Sequence, residues 1–132
     1  MATLIDASVL IAAERGALDL NPLLSTVDDE IVLSAITATE LLHGVYRAVS
    51  DKVRRRREQL LEQLFETFTI IPFDLAAARL HARIWADLAA RGVNVGPHDL
   101  LIGATALTVD AAIATRDLRS FPKIPDLKIL RW

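Results

Sequence analysis

Four acids stand where a carboxylate is poorly placed unless it has work to do. Asp6 ends the apolar run Leu4-Ile5, Glu40 shares a helical face with Ile36 and Gly44, Asp99 follows Pro97-His98, and Asp117 follows Ala112-Ile113-Ala114-Thr115. Desolvating an unpaired carboxylate is expensive. Several within a few ångströms of one another also repel, which raises their pKa values and costs stability. A hard divalent cation removes that repulsion, and ligation by carboxylates and water alone is the chemistry of Mg²⁺ or Mn²⁺ rather than zinc. Such an ion lowers the pKa of a bound water and clamps a phosphodiester for in-line attack.

Each acid also has a plainer explanation. Asp6 can cap the helix that follows it, and Glu40 can be an ordinary exposed helical residue. Asp99 gains from the helix dipole in a first turn, while Asp117 suits a turn after a strand. The argument for a shared site rests on the set. His43, His81 and His98 are scattered, with no second histidine or lysine in motif spacing, which speaks against a metal-free acid–base pair acting on RNA. No cysteine is present, so disulfides and thiolate metal sites are excluded.

The elements that must position the acids follow from apolar patterning. Residues 2–6 read as a buried strand, followed by a helix over 8–15 with Gly16 just past its end. Asn21-Pro22 starts a short helix. Ile31-Val32-Leu33 is a strand, and Ser34 caps a helix over 35–48. A longer helix over 51–67 shows Leu60, Leu61, Leu64 and Phe68 as an apolar stripe opposite charge. Thr69-Ile70-Ile71 is a strand stopped by Pro72. Asp74 caps a helix running to Arg91, with Leu75, Ala78, Ala82, Trp85 and Leu88-Ala89 expected inward and Gly92 closing it.

Gly96-Pro97-His98-Asp99 opens a helix that is apolar almost all round from Leu100 to Val109, so it is expected to be buried on most sides. Ala112 to Thr115 is a fourth strand, and Lys128-Ile129-Leu130 a final edge strand. Short apolar strands alternating with amphipathic helices predict an α/β domain with a mainly parallel sheet. Ligands of such sheets bind at the carboxyl ends of the strands, where Asp6 and Thr115-Arg116-Asp117 fall.

The totals agree. A chain of 132 residues is expected to form one domain over 1–132, and 52% hydrophobic residues fill an interior. The net charge of −2 excludes coating of nucleic acid by bulk charge, so any such contact is local or metal-assisted. The longest nearly uncharged run is about half of the ~20 residues a membrane span needs, and the N-terminus is a poor signal peptide. A cytoplasmic protein with no membrane partner is expected.

The chain resembles a PIN-domain ribonuclease, and more narrowly a VapC-type toxin of a prokaryotic toxin–antitoxin pair. The resemblance is carried by the blocks Leu4 to Ile11, Ser34 to Gly44, His98 to Ala106 and Ala114 to Phe121, with Ile124 to Leu130 similar to the family's ending. Any one block is weak, but four in order are specific. The resemblance implies a three-layer α/β/α sandwich with a mainly parallel sheet of about five strands. It also implies hydrolysis of RNA by metal-activated water, with Mg²⁺ or Mn²⁺ held by acids.

Carried over by position, Asp6 and Asp99 are the expected direct ligands. Glu40 binds through water or orients the nucleophile, and Asp117 completes the cluster. Ser8 and Thr115 match supporting hydroxyls. The family further implies a homodimer and a VapB-type antitoxin that wraps the toxin and blocks the acids. In one respect the chain departs: many relatives have asparagine where Asp117 stands and an acid or histidine where Ser120 stands.

Other residues have two readings. Arg116 beside Asp117 either contacts substrate phosphate or neutralises the acid, and Arg15 is similarly open. Arg54 to Arg57 is a solvated helix segment or a phosphate-steering patch, and Trp85 is core in preference to a dimer face. Two other functions compete with the nuclease. One is a non-catalytic binding module of the same fold with structural acids. The other is an acid-cluster phosphatase, which needs an acid two residues beyond the nucleophile where this chain has Ser8.

Overall fold

The computed structural model describes residues 1–132. Five strands alternate with helices: β1 (Ala2–Ile5), α1 (Ala7–Glu14), α2 (Leu20–Leu24), β2 (Glu30–Ser34), α3 (Ala35–Tyr46), α4 (Asp51–Thr67), β3 (Thr69–Ile71), α5 (Leu75–Ala90), α6 (Pro97–Thr108), β4 (Ala111–Thr115) and β5 (Ile129–Arg131), with a 3₁₀ turn over Phe121–Lys123 before β5. The sheet order is β3-β2-β1-β4-β5, and every neighbouring pair is parallel. Thus β1 pairs with β2 through Leu4↔Val32 and with β4 through Leu4↔Ile113.

The two-residue alternation of a strand sorts the interior into two layers. Leu4, Val32 and Ile113 point to a core shared with α5, α6 and the 3₁₀ turn through Ile84, Leu88, Ile102 and Phe121. Ile5 and Leu33 point the other way, against Val9 and Leu10 of α1, with Leu24, Leu41 and Leu64 packed around them. Each such fully buried aliphatic side chain contributes about 1.5–3 kcal/mol. The result is the expected three-layer α/β/α arrangement. Helix α6 is buried through Leu100, Ile102, Gly103, Ala104, Thr105 and Ala106, as its continuous apolar run requires. A Cβ at Gly103 would stand 2.5 Å from Ile124 Cδ1, so a larger residue there would make that buried side chain move.

Caps fall where the residue types place them. Ser34 accepts from Ile36 N at 3.0 Å, Ser50 from Val53 N at 3.2 Å and Asp74 from Ala77 N at 2.9 Å. Gly16 and Gly92, just past the ends of α1 and α5, have φ of +75° and +68°, conformations that cost glycine nothing. Boundaries differ by a residue or two: β1 stops at Ile5, α3 at Tyr46, and β5 lies one residue later than expected.

The inward face of α5 needs correction. Its buried residues are Ala77, Ile84 and Leu88, with Leu80 half-buried. Leu75 and Trp85, expected inward, are 65% and 62% exposed, and Ala82 and Ala89 are exposed too. Alanine is so frequent in α5 that it carries two apolar stripes, and the larger aliphatics of the second fit the core. In α4 only Leu61 is fully buried, and Leu60 is 44% exposed. No helix is long and apolar enough to cross a membrane.

Candidate active site

Strand order explains where a site can form. Because the chain leaves β1 toward β2 and leaves β4 toward β5, a crevice opens beyond the adjacent carboxyl ends of β1 and β4. Asp6 follows β1 directly, and Arg116-Asp117 follow β4. Asp6 holds the N-cap position of α1 yet makes no cap hydrogen bond, which removes the plainer reading of that residue. Its Oδ2 instead accepts from Ser8 Oγ at 2.6 Å and from Thr115 Oγ1 at 2.9 Å. Thr115 is fully buried and Asp6 nearly so. The two hydroxyls, one from α1 and one from the end of β4, fix the orientation of this carboxylate.

Thr115 has a second duty. Its Oγ1 accepts from Asp117 N at 2.9 Å, so the hydroxyl that holds Asp6 also sets the turn that presents Asp117. Asp117 is gripped in turn by Arg119: Nε reaches Oδ1 and Nη2 reaches Oδ2, both at 3.1 Å, and Arg119 N donates to Oδ1 at 3.0 Å. These bonds hold the Asp117 carboxyl below its usual pKa.

Glu40 and Asp99 come from α3 and α6. Burial pushes the pKa of Glu40 up, and the charges of Asp6 and Asp99 push it further, against a smaller opposing effect of His98. Its Oε1 is buried and has no hydrogen-bond partner. His98 Nδ1 lies 3.8 Å from Oε2, an ionic approach rather than a hydrogen bond. Burial likewise pushes Asp99 up; the Ser120 hydroxyl opposes this, and the charges of Asp6 and Asp117 add to it.

Asp6, Glu40 and Asp99 therefore each lie within range of the others' charge, and Asp117 within range of Asp99. As the side chains stand, no three acids or histidines close on a common point. The donor chemistry nonetheless suits a hard cation: carboxylates only, one of them with a buried oxygen left unpartnered. Arg119 was not singled out from the sequence, and Ser120 only as a departure from the family's pattern. Their roles arise from the turn after β4, which returns the chain past Asp117 and toward Gly96, whose N donates to Ser120 Oγ at 3.3 Å.

Of the cations weighed in the sequence, Arg116 donates its backbone N to Ser8 Oγ at 3.1 Å. The Arg54–Arg57 run splits. Arg54 pairs with Asp51 at 2.7 Å, whereas Arg57 pairs with Glu14 at 2.9 Å and donates to Gly44 O. A mainly apolar groove between α1, α3 and α4 runs along Leu10, Ile11, Leu41 and Leu64 and carries Arg15, Arg57 and Glu40 on its walls.

The family model described as "PIN domain" matches residues 3–127 of this parallel α/β chain. A curated relative named "Ribonuclease VapC", from Rickettsia bellii, is 33% identical over 130 residues, 98% of this chain and 96% of the relative. The chain belongs to the PIN domain family, in its VapC branch. The fold is shared with a solved VapBC-5 toxin–antitoxin structure from Mycobacterium tuberculosis, at a TM-score of 0.79 and 30% identity over 99% of this chain and 98% of that one. It is shared also with VapBC-1 from nontypeable Haemophilus influenzae, at 0.88 and 22% over 100% and 98%.

Proposed function

We propose that this chain is a divalent-metal-dependent endoribonuclease, the toxin of a toxin–antitoxin pair, acting in the cytoplasm. The observation that carries the reading is the placing of Asp6, Glu40 and Asp99 at the carboxyl end of the sheet, with an orphaned buried oxygen on Glu40, in a chain akin to proteins named for ribonuclease activity. Asp6 and Asp99 would hold Mg²⁺ or Mn²⁺, which when bound supplies charge neutralisation and a water of lowered pKa. Ser8 and Thr115 orient Asp6 for that task. Glu40 Oε1, unpartnered and raised in proton affinity by burial, is suited to orient a water or take its proton.

A VapB-type antitoxin is the proposed inhibitor. The groove between α1, α3 and α4 offers an apolar floor for a peptide, and Glu40 on its wall links it to the acids. A homodimer is proposed through the uncovered stripe of α5 with Leu75 and Trp85; substituting Trp85→Glu should shift the mass in solution to that of a monomer.

The test of the enzyme is cleavage of single-stranded RNA with Mg²⁺ or Mn²⁺ by wild type, Asp6→Asn and Asp99→Asn. Both variants should lose cleavage. Equal cleavage by all three would end the acid-site mechanism, and no cleavage by any would favour the binding module.

A further inference from the structure

Three arginines beside the acids form a set of their own. Arg15, Arg116 and Arg119 line one open hollow with Ser8, Ile11 and Asp117. Ser8 joins that hollow to the carboxylates, since its Oγ donates to Asp6 and accepts from Arg116 N. Neither Arg15 nor Arg116 has a carboxylate partner. Arg119 is different: its side chain is 89% exposed, yet it is held in one orientation by a two-pronged pair with Asp117.

An exposed pair of this kind contributes little to stability. Its consequence is direction. Using Nε and Nη2 on Asp117 leaves the Nη1 edge of the planar guanidinium free, and that edge matches the geometry of a phosphate. Both Asp117 oxygens are engaged by Arg119, Oδ1 by Nε and the backbone N and Oδ2 by Nη2, so the carboxyl faces the guanidinium. A metal on Asp117 would compete with that grip for the same carboxylate charge. A chain of net charge −2 with an acidic site also needs local cations to bring a polyanion close.

We propose that Asp117 is a positioning residue and not a fourth metal ligand: it holds Arg119 at the rim of the acidic hollow, where Arg119, Arg15 and Arg116 take backbone phosphates of the RNA strand beside the scissile bond. This rests on the ribonuclease reading and revises the role expected for Asp117.

The experiment measures two bindings on the full chain. Affinity for a fluorescent single-stranded oligoribonucleotide is followed in EDTA across salt concentrations, and Mn²⁺ affinity is measured by calorimetry without RNA. Arg119→Ala should weaken RNA binding and reduce the slope of log K against log salt by about 0.7, the value for one phosphate contact on a single strand. Asp117→Asn should move both in the same direction, and the double variant should add little to Arg119→Ala. Arg119→Lys should not restore wild-type affinity, because a lysine lacks the fork.

Mn²⁺ affinity should stay within about twofold of wild type in all of these, while Asp6→Asn loses it. A tenfold loss of Mn²⁺ affinity in Asp117→Asn with RNA binding unchanged would make Asp117 a ligand and overturn the proposal. So would an unchanged salt slope in Arg119→Ala. A wild type that cleaves RNA no better than Asp6→Asn overturns the ribonuclease reading itself, whereas a cleaving wild type with an unmoved slope overturns this inference alone.

Discussion

The strand half and the helix half of the acid site are built on opposite terms. At the ends of β1 and β4, Asp6 receives two hydroxyls and Asp117 receives a guanidinium, so each carboxylate is compensated by a neighbour the fold puts there. On α3 and α6, Glu40 and Asp99 are pushed up in pKa by burial and by other acids, and Glu40 Oε1 has no partner. The strand acids already have partners within the protein. The helix half holds charge that Ser120 and His98 offset only in part, and a cation would relieve it. On this view the site's rigidity comes from hydroxyls on the sheet, and its affinity for a cation comes from the burial of the two helix acids and their repulsion by Asp6.

The comparison breaks first at Asp6, which both halves need. Asp6→Asn removes the carboxylate that Ser8 and Thr115 were placed to hold. Loss of an outer partner of a metal ligand typically costs ~10–100-fold, so losing the ligand itself should exceed about 100-fold in RNA cleavage with Mg²⁺ or Mn²⁺. Retention of most of the activity would mean that the sheet end is scaffolding. Next is Thr115→Val, which keeps the shape and deletes the buried hydroxyl. A hydrogen bond to a charged group is worth about 1.5–3 kcal/mol, so thermal melting should show a clear drop, alongside a ~10–100-fold loss of cleavage. Stability unchanged together with activity unchanged would show that Asp6 is not oriented by Thr115.

How far these features could be read in advance follows from their kind. Strands and helices were legible because Leu4-Ile5, Ile31-Leu33 and Ala112-Thr115 are short apolar runs between caps and turns, and Ser34 and Asp74 cap as their types demand. The face of α5 was not, because its many alanines leave two apolar stripes whose choice is made by the α6 and β-sheet surfaces. Asp6, Glu40 and Asp99 were legible as acids in apolar surroundings. The orphaned oxygen of Glu40 and the grip of Arg119 on Asp117 were not, since each depends on where one rotamer ends. A turn residue two positions from an acid has the same sequence signature whether it holds that acid or faces away.

The smallest effect is the one most specific to the helix half. In metal-free protein, Asp99→Asn deletes a charge that the native state bears at a cost, so it should raise the melting temperature by a few degrees near neutral pH, on the scale of ~3–5 °C per kcal/mol for a chain of this size. The folded pKa values of Glu40 and Asp99 lie above their unfolded ones. Below the unfolded values both states are protonated and no penalty exists; as pH rises through the folded values the native state must ionise where charge is disfavoured, and stability falls. Asp117 runs the other way, its depressed pKa giving stability above its unfolded value that is lost as pH drops through the folded one. The advantage of Asp99→Asn over wild type should therefore be small near pH ~4, grow toward pH ~7, and reverse when Mg²⁺ or Mn²⁺ stabilises wild type more than the variant. Thermal melts in EDTA and in divalent cation at both pH values decide it. An advantage that is independent of pH, or that survives the addition of metal, would mean that the penalty is not the ionisation of Asp99 beside Asp6 and Asp117.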